Sequence, residues 1–219
     1  MLKLVIGNKN YSSWSMRPWV LMMHFGVEFE EIRIPLFTPD YQQQLAEYSP
    51  NLKVPVLIDG NLTVWDSLAI CEYVSEKTLQ HKALPESLFQ RAQCRAYCAE
   101  MHSGFPLIRS QMPMNCRSRR KVDIGPDLAQ EIARIEQLWV EAREANSIVG
   151  PYLFGSFSLA DAFFAPVAMR FRTYGVSLSD AAAEYQETLS NNSAIQAWVT
   201  GAAQESEVLE DYEIGLDRR

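Results

Sequence analysis

Three short segments of the chain carry residues suited to binding a small peptide that contains a thiol. The first is the loop over residues 11–17, in which Tyr11, Ser12 and Ser13 place hydroxyl groups before a predicted helix. A hydroxyl donor and the positive end of a helix dipole both stabilise a thiolate, which lowers a thiol pKa from its usual value of about 8.5. Serine is also common at ordinary helix starts, so the loop alone does not predict a thiol site.

The second segment is Lys53-Val54-Pro55, in which a proline stands just before a predicted interior strand. Proline lacks the amide hydrogen that pairing inside a sheet requires, so it is unexpected there. A cis Val54–Pro55 bond would expose the N–H and C=O of Val54, which could then pair with a peptide ligand as an added strand does. The alternative is a trans proline that merely begins the strand.

The third segment is Asp66-Ser67, at the start of a predicted helix. Unpaired amides and the helix dipole favour a ligand carboxylate at such a position, and the Asp66 side chain could bind an ammonium group. An amino-acid moiety carries both charges, so this pair is chemically suited to one. The alternative is an ordinary helix N-cap without a ligand.

The elements that must position these segments change in type near residue 80. Before residue 80, two predicted strands flank a helix that includes Pro18, which gives the order βαβ. A predicted hairpin around Asp59-Gly60-Asn61 then precedes a helix that begins at Ser67, which gives the order ββα. Beyond Pro85, helices are predicted over 87–112, 126–147, 158–173 and 192–206. We therefore predict an α/β domain over residues 1–78 and an all-helical domain over residues 86–219.

Composition limits the classes of partner. The 219 residues carry a formal net charge of −7, which disfavours nucleic acid, and the basic run over residues 117–121 is predicted to be a solvated loop. No apolar run reaches the ~18 residues of a membrane span, and no export signal is recognised. Four unevenly spaced cysteines do not predict a disulfide framework, so we expect a cytoplasmic protein.

Two further groups of residues receive structural interpretations. Cys94, Cys98 and His102 share a helix face, but a span of about 12 Å prevents one zinc ion from binding all three. We predict that they form a packing seam with a buried histidine, and we predict no metal. Ser158 and Asp161 have the spacing of a capping box, which gives Asp161 a structural role at a helix start.

Taken together, the three segments resemble the glutathione S-transferase superfamily. Residues 12–17, Ser-Ser-Trp-Ser-Met-Arg, are similar to the zeta-class loop Ser-Ser-Cys-Ser-x-Arg, with Trp14 in place of the cysteine. Lys53-Val54-Pro55 resembles the family's cis-proline segment, and Asp66-Ser67 resembles its acid–serine pair. The resemblance implies a thioredoxin-like α/β N-terminal domain followed by an all-α C-terminal helical bundle.

The resemblance also implies a role for each residue. Ser12 would activate the glutathione sulfur, with Ser13 as its alternate and Tyr11 as a rival. Val54, beside Pro55, would pair with the cysteinyl backbone. Asp66 and Ser67 would hold the γ-glutamyl group, and Lys53 would meet the glycyl carboxylate. The side of the acceptor substrate would be formed by Tyr11, Trp14, Arg109, Met112 and Met114.

We therefore expect a homodimeric glutathione-dependent transferase or isomerase with glutathione as its co-substrate. The loop over residues 11–17 has no cysteine, so the attacking thiolate would come from glutathione, and the acceptor would be a small, hydrophobic electrophile. Two alternatives stay open from the sequence: a glutathione-dependent peroxidase, and a non-catalytic interaction module of the same superfamily.

Overall fold

The computed structural model describes residues 1–217, and its N-terminal part is built on a four-stranded mixed sheet with strand order β2-β1-β3-β4. The strands are β1 (Leu2–Ile6), β2 (Phe29–Arg33), β3 (Val56–Asp59) and β4 (Leu62–Trp65). Strand β1 pairs in parallel with β2 and antiparallel with β3, and β4 closes the sheet antiparallel to β3. This is the predicted βαβ-ββα order, and the fold class is confirmed.

Helices cover both faces of this sheet because its central strands are apolar on both sides. Val5 packs on one face with Leu45 of helix α2 (Tyr41–Ala46). Leu4 and Ile6 pack on the other face, against helices α1 (Ser13–His24) and α3 (Ser67–Lys77). Alternate side chains of a strand point to opposite faces, so a strand with successive apolar residues, such as Leu4, Val5 and Ile6, is buried on both faces. The arrangement brings the beginnings of α1 and α3 to one edge of the sheet.

The rest of the described chain is mainly helical. Helix α7 lies at its centre and is buried at all but one of its positions. None of the helices within residues 1–217 has the length and apolar character needed to cross a membrane. The helices are α4 (Leu88–Ser103), α5 (Pro106–Gln111), α6 (Pro126–Asn146), α7 (Leu159–Tyr174), α8 (Asp180–Ser190) and α9 (Ser193–Gln204).

Three features differ from the sequence-based prediction. The stretch 87–112 forms two helices, because Phe105 adopts a left-handed φ of 60° and Pro106, which has no amide hydrogen, begins α5. Helix α8 was not predicted, since its buried face consists of only three residues. A short antiparallel pair, β5 (Arg120–Lys121) with β6 (Leu216–Asp217), was also missed.

The basic run 117–121 is not the solvated loop that was predicted. Arg117 donates a hydrogen bond to the carbonyl of Glu207 at 2.7 Å, and Arg120 forms an ion pair with Glu213. Both partners lie in the segment after helix α9, so the basic run holds this C-terminal segment, residues 205–217, against the rest of the protein. That segment brings Leu209 and Tyr212 to the edge of the sheet where α1 begins.

The two predicted domains share one continuous hydrophobic core. Trp19 of α1 meets Trp198 of α9 with ring centroids 5.3 Å apart, and α1 also packs on α7. The boundaries at residues 78 and 86 stay a prediction. The shared core fixes the position of α1, and therefore of its serine-rich start, relative to the helical part.

Candidate functional site

Two adjoining cavities lie where helices α1 and α3 begin. The α1 cavity has a volume of about 420 Å³ and the α3 cavity about 520 Å³, and Trp14, Lys53 and Val54 line both. A third cavity of about 690 Å³ contains none of the predicted site residues. Besides the shared three, the α1 cavity is lined by Tyr11, Ser12, Ser13, Leu36, Phe37, Tyr41, Leu45, Leu52, Arg109, Pro113, Arg170, Leu209 and Tyr212, and the α3 cavity by Asn51, Pro55, Trp65, Asp66 and Ser67.

Ser12 is the N-cap of α1 and lines the α1 cavity. Its Oγ lies 2.7 Å from Ser15 Oγ, and Ser15 Oγ in turn accepts the backbone N–H of Gly7 at 3.1 Å. Either hydroxyl of such a pair can be the donor. When Ser15 donates to Ser12, the Ser12 hydrogen is free to reach an atom in the cavity.

Ser13 and the arginine of α7 form a second polar contact at the same wall. Arg170 Nη2 donates to Ser13 Oγ at 2.9 Å, and Arg170 Nη1 donates to the carbonyl of Met112 at 2.6 Å. Burial, reinforced by the charge of Arg109, lowers the pKa of Arg170 to about 10. No ion pair of Arg170 or Arg109 with a carboxylate is recorded within residues 1–217. This wall is therefore positively charged.

Tyr11 lines the α1 cavity but its hydroxyl group is engaged elsewhere. The hydroxyl donates to Glu213 Oε1 at 2.7 Å and accepts from Arg117 Nη2 at 3.1 Å. Burial, followed by the hydrogen bond to Glu213, raises the pKa of Tyr11. A phenol that has already donated its hydrogen to a carboxylate is poorly placed to stabilise a thiolate.

The Val54–Pro55 peptide bond is cis, as the second segment suggested. Val54 lies between the two cavities, and no hydrogen bond within residues 1–217 is recorded for its N–H or C=O. Unpaired backbone groups beside a cavity can pair with an extended peptide. Lys53 stands next to it with an exposed side chain that lines both cavities.

Asp66 and Ser67 lie together at the start of α3, as predicted. Asp66 has a φ of 77° and caps the helix, because its Oδ1 accepts the N–H of Leu68 at 2.8 Å. Its Oδ2 lies 3.2 Å from His102 Nε2. Ser67 is buried and accepts from Arg17 Nη1 at 3.2 Å. The helix-cap interpretation and the ligand interpretation of Asp66 are therefore compatible, since the two oxygens have separate partners.

Two expectations for the site are corrected. Met112 and Met114 are fully buried and do not line either cavity, and Pro113 lies at the wall between them. His102 is not part of a buried seam with Cys94 and Cys98, since its ring lies against Trp14, with ring centroids 5.2 Å apart, and faces Asp66. Within residues 1–217, no cluster of His, Cys, Asp and Glu side chains that could hold a metal ion is found.

Sequence reasoning missed several of the lining residues, and three of them lie far along the chain from the serine loop. Arg170, Leu209 and Tyr212 line the α1 cavity from positions more than 150 residues beyond the serine loop. The available signal for Arg170 was its place in a mainly apolar helix, because a charged side chain that is buried there needs a polar partner or a cavity. Nothing in the sequence around Leu209 or Tyr212 indicated a role.

Asp161, the other acidic candidate, has the structural role that the capping box predicted. It is fully buried, and burial raises the pKa of its carboxyl group. Its oxygens accept from the backbone N–H of Ser158 at 2.8 Å, from the N–H of Leu153 at 3.1 Å and from the hydroxyl of Tyr185 at 2.9 Å. All of these contacts lie away from the two cavities.

Comparisons of sequence agree with this geometry. Residues 11–77 match the family model described as "Glutathione S-transferase, N-terminal domain". The chain is 24% identical over 169 residues to a "Probable maleylacetoacetate isomerase" of Caenorhabditis elegans, and this match covers 77% of this chain and 78% of that protein. It is 41% identical over 58 residues to a dichloromethane dehalogenase of Methylorubrum extorquens, a match that covers 26% of this chain and only 20% of that protein.

Solved structures share the fold over nearly the whole chain. A glutathione transferase homolog from Burkholderia with bound glutathione superimposes with a TM-score of 0.69 at 22% identity, covering 93% of this chain and 99% of that one. A bacterial maleyl pyruvate isomerase of the zeta class gives 0.71 at 18% identity, covering 94% and 100%. These structures therefore show that the chain has the fold of glutathione S-transferases, and the family match over residues 11–77 shows that its N-terminal part is similar to theirs in sequence.

Proposed function

We propose that the protein is a glutathione-dependent transferase or isomerase. Glutathione occupies the α3 cavity, and its thiolate attacks an electrophilic carbon of a small acceptor held in the α1 cavity. The observation that carries this proposal is the meeting of the two cavities at Trp14 and Val54, beside the Ser12 hydroxyl. Catalysis then comes from stabilising the thiolate and from holding sulfur and acceptor close together.

The α3 cavity offers a partner for each polar group of the peptide. The free N–H and C=O of Val54 pair with the cysteinyl backbone. Ser67 and the start of α3 receive the α-carboxylate of the γ-glutamyl group, and the half-exposed Asp66 receives its ammonium group. Lys53 meets the glycyl carboxylate. The relatives with glutathione bound or in their names support this choice of peptide.

Ser12 is the proposed activator of the glutathione thiol. Its hydrogen reaches the sulfur when Ser15 donates to the Ser12 oxygen, and the N-terminus of α1 adds positive potential. Both effects stabilise the thiolate and lower the pKa of bound glutathione. Ser13 remains the alternate, because it accepts from Arg170 and keeps its own hydrogen free.

The acceptor is proposed to carry an anionic group, which revises the hydrophobic acceptor expected from the sequence. Arg109 and Arg170 line the α1 cavity, and both guanidinium groups are without a recorded carboxylate partner in residues 1–217. Guanidinium groups bind carboxylates strongly in a partly desolvated site. The names of the relatives maleylacetoacetate isomerase and maleyl pyruvate isomerase denote substrates that bear carboxylates, which supports the same class.

A homodimer in the cytoplasm is proposed as the working form. Strand β4 is an edge strand that leaves Leu62 and Trp65 about half exposed, which suits burial against a second copy. Cys71, Cys94, Cys98 and Cys116 are free thiols, which fits a reducing compartment.

Calorimetry with glutathione and a conjugation assay test the function. We expect binding at micromolar to millimolar glutathione and turnover of an activated aryl halide that falls in Ser12→Ala. Absence of binding at millimolar glutathione overturns the proposal. Equal, very low turnover in the wild type and in Ser12→Ala would favour the interaction module. Turnover confined to an organic hydroperoxide would favour the peroxidase.

A further inference from the structure

The side chain of His102 links the helical part of the protein to the α3 cavity. We propose that His102 is a positioning residue for peptide recognition, which holds the Asp66 carboxylate in the orientation that binds the α-ammonium group of glutathione. This inference rests on the proposed function. It adds a residue from α4, outside the three N-terminal segments, to the recognition of the γ-glutamyl group.

Both oxygens of the Asp66 carboxylate have a neighbour in the protein. Leu68 donates its backbone N–H to Oδ1 at 2.8 Å, and His102 Nε2 lies 3.2 Å from Oδ2. A carboxylate oxygen has more than one lone pair, so both oxygens keep capacity for a further donor. Asp66 also lines the α3 cavity with its side chain nearly half exposed. The two protein contacts therefore restrain the orientation of the carboxylate and leave it accessible to a ligand.

Arg17 determines which nitrogen of His102 carries the hydrogen. Arg17 Nη1 lies 3.4 Å from His102 Nδ1, and a guanidinium group can only donate. Nδ1 is therefore the acceptor, and in the neutral ring the hydrogen is on Nε2, which faces Asp66. Burial lowers the pKa of His102 although the charge of Asp66 raises it, and the net lowering favours the neutral ring.

The same arginine also contacts the other half of the acid–serine pair. Arg17 Nη1 donates to Ser67 Oγ at 3.2 Å, so it reaches Ser67 directly and Asp66 through His102. The guanidinium group is itself held between the rings of Trp14 and Phe163, 4.4 and 4.6 Å from their centroids. The buried Arg17 therefore contacts Ser67 directly and also contacts His102, the neighbour of Asp66. Ser67 faces the carboxylate of a bound amino-acid moiety, and Asp66 faces its ammonium group.

The position of His102 on α4 gives this contact a specific consequence. The three predicted segments all lie within residues 11–67, whereas His102 is supplied by a helix that packs on α3 and α7. Loss of the imidazole donor leaves Asp66 fixed at Oδ1 only. Its second oxygen can then rotate away from the ligand ammonium group while the fold is retained.

Two substitutions separate positioning from general structure. His102→Gln keeps an N–H donor close to the position of Nε2, whereas His102→Leu has similar bulk and no donor. Calorimetry measures the Kd of each variant for glutathione and for an analogue in which hydrogen replaces the α-amino group. We expect His102→Leu to weaken glutathione binding about 10-fold and to leave analogue binding unchanged, because a carboxylate with one protein contact binds the ammonium group less well and the analogue lacks that group. His102→Gln is expected within about 3-fold of the wild type.

The outcomes distinguish this proposal from the proposed function. If the wild type binds neither ligand, the proposed function fails and this inference with it. If the wild type binds glutathione and His102→Leu binds it equally well, or loses both ligands equally, only the role of His102 is overturned. If His102→Leu does not fold, His102→Asn replaces it, since its shorter amide reaches the position of Nδ1 but not that of Nε2, and the same loss for glutathione alone is expected.

Discussion

Replacing Tyr11 with phenylalanine tests which hydroxyl group activates the thiol. Three groups contact the Tyr11 hydroxyl: Glu213 at 2.7 Å, Arg117 at 3.1 Å and the N–H of Leu209 at 3.3 Å. All belong to the basic run or to the C-terminal segment that it fastens. We therefore expect Tyr11→Phe to loosen that segment and to leave the thiolate chemistry intact.

The expected loss of stability in Tyr11→Phe depends on the contacts that Glu213 and Arg117 still make without the phenol. Glu213 retains Asn115 and Arg120, and Arg117 retains the carbonyl of Glu207, so the main loss is one hydrogen bond from the phenol to a carboxylate. A hydrogen bond to a charged group contributes ~2 kcal/mol to the free energy of unfolding. In a chain of this size that corresponds to a fall in Tm of about 4–8 °C.

Thermal unfolding and steady-state kinetics on the same samples provide the assay. Tyr11→Phe should keep kcat/KM within about 3-fold of the wild type, whereas Ser12→Ala should lose about 100-fold, the usual effect of removing a donor to a developing anion. Ser12→Ala should also raise the pKa of bound glutathione, read from thiolate absorbance. A 100-fold loss in Tyr11→Phe, with an active Ser12→Ala, would identify Tyr11 as the activator and refute the reasoning.

Three further outcomes are expected. Arg170→Met should remove a preference for 4-chloro-3-nitrobenzoate over its methyl ester, while Arg170→Lys keeps part of it; an unchanged preference would contradict an anionic acceptor site. Asp161→Ala should cost about 3–5 kcal/mol in urea unfolding, because it leaves Tyr185 and two backbone amides buried without a partner; a loss below 1 kcal/mol would contradict this. Burial raises the pKa of Glu213, but hydrogen bonds from Tyr11 and Asn115 and the charge of Arg120 together lower it below the unfolded value near 4.5. The contribution of Glu213 to the free energy of unfolding is therefore complete above pH 4.5 and is lost as the pH falls below it. Limited proteolysis near the C-terminus should accelerate over that acidic range, and a flat profile would argue against the Glu213 contacts.

Local sequence signals predicted the N-terminal part well because its elements are decided by neighbouring residues. The hairpin turn is an example: Gly60 adopts a positive φ of 59° between β3 and β4, which Asp-Gly-Asn favours. The helix start at Ser67 and the capping box at Ser158 are equally local. Each needs only residues within a few positions along the chain.

The acceptor side was predicted less well because the resemblance gives a position along the chain but not the direction of a side chain. It placed Met112 and Met114 at the acceptor, whereas helix α5 ends at Gln111 and both side chains are buried in the core. His102 was assigned to a buried seam because a pattern gives the face of a helix but not what lies opposite. Its partners, Arg17 and Asp66, come from other elements, and only the packing of α4 on α3 brings them together.

The distribution of charge around Trp14 gives the two cavities a common physical explanation. Arg17 and Arg109 lie 4.4 and 4.8 Å from its ring centroid, and Arg170 is buried nearby at the same wall. Burial, reinforced by the charge of Arg109, lowers the pKa of Arg17 to about 9, because removal from water disfavours the charged form. Among the ion pairs within residues 1–217, none joins Arg17, Arg109 or Arg170 to a carboxylate. A ligand that brings a carboxylate and a thiolate places negative charge beside these three guanidinium groups, so its binding offsets their mutual repulsion. Glutathione should therefore raise the Tm of the wild type, and at the same ligand concentration the gain should be smaller for a glutathione analogue whose γ-glutamyl α-carboxylate is replaced by an amide.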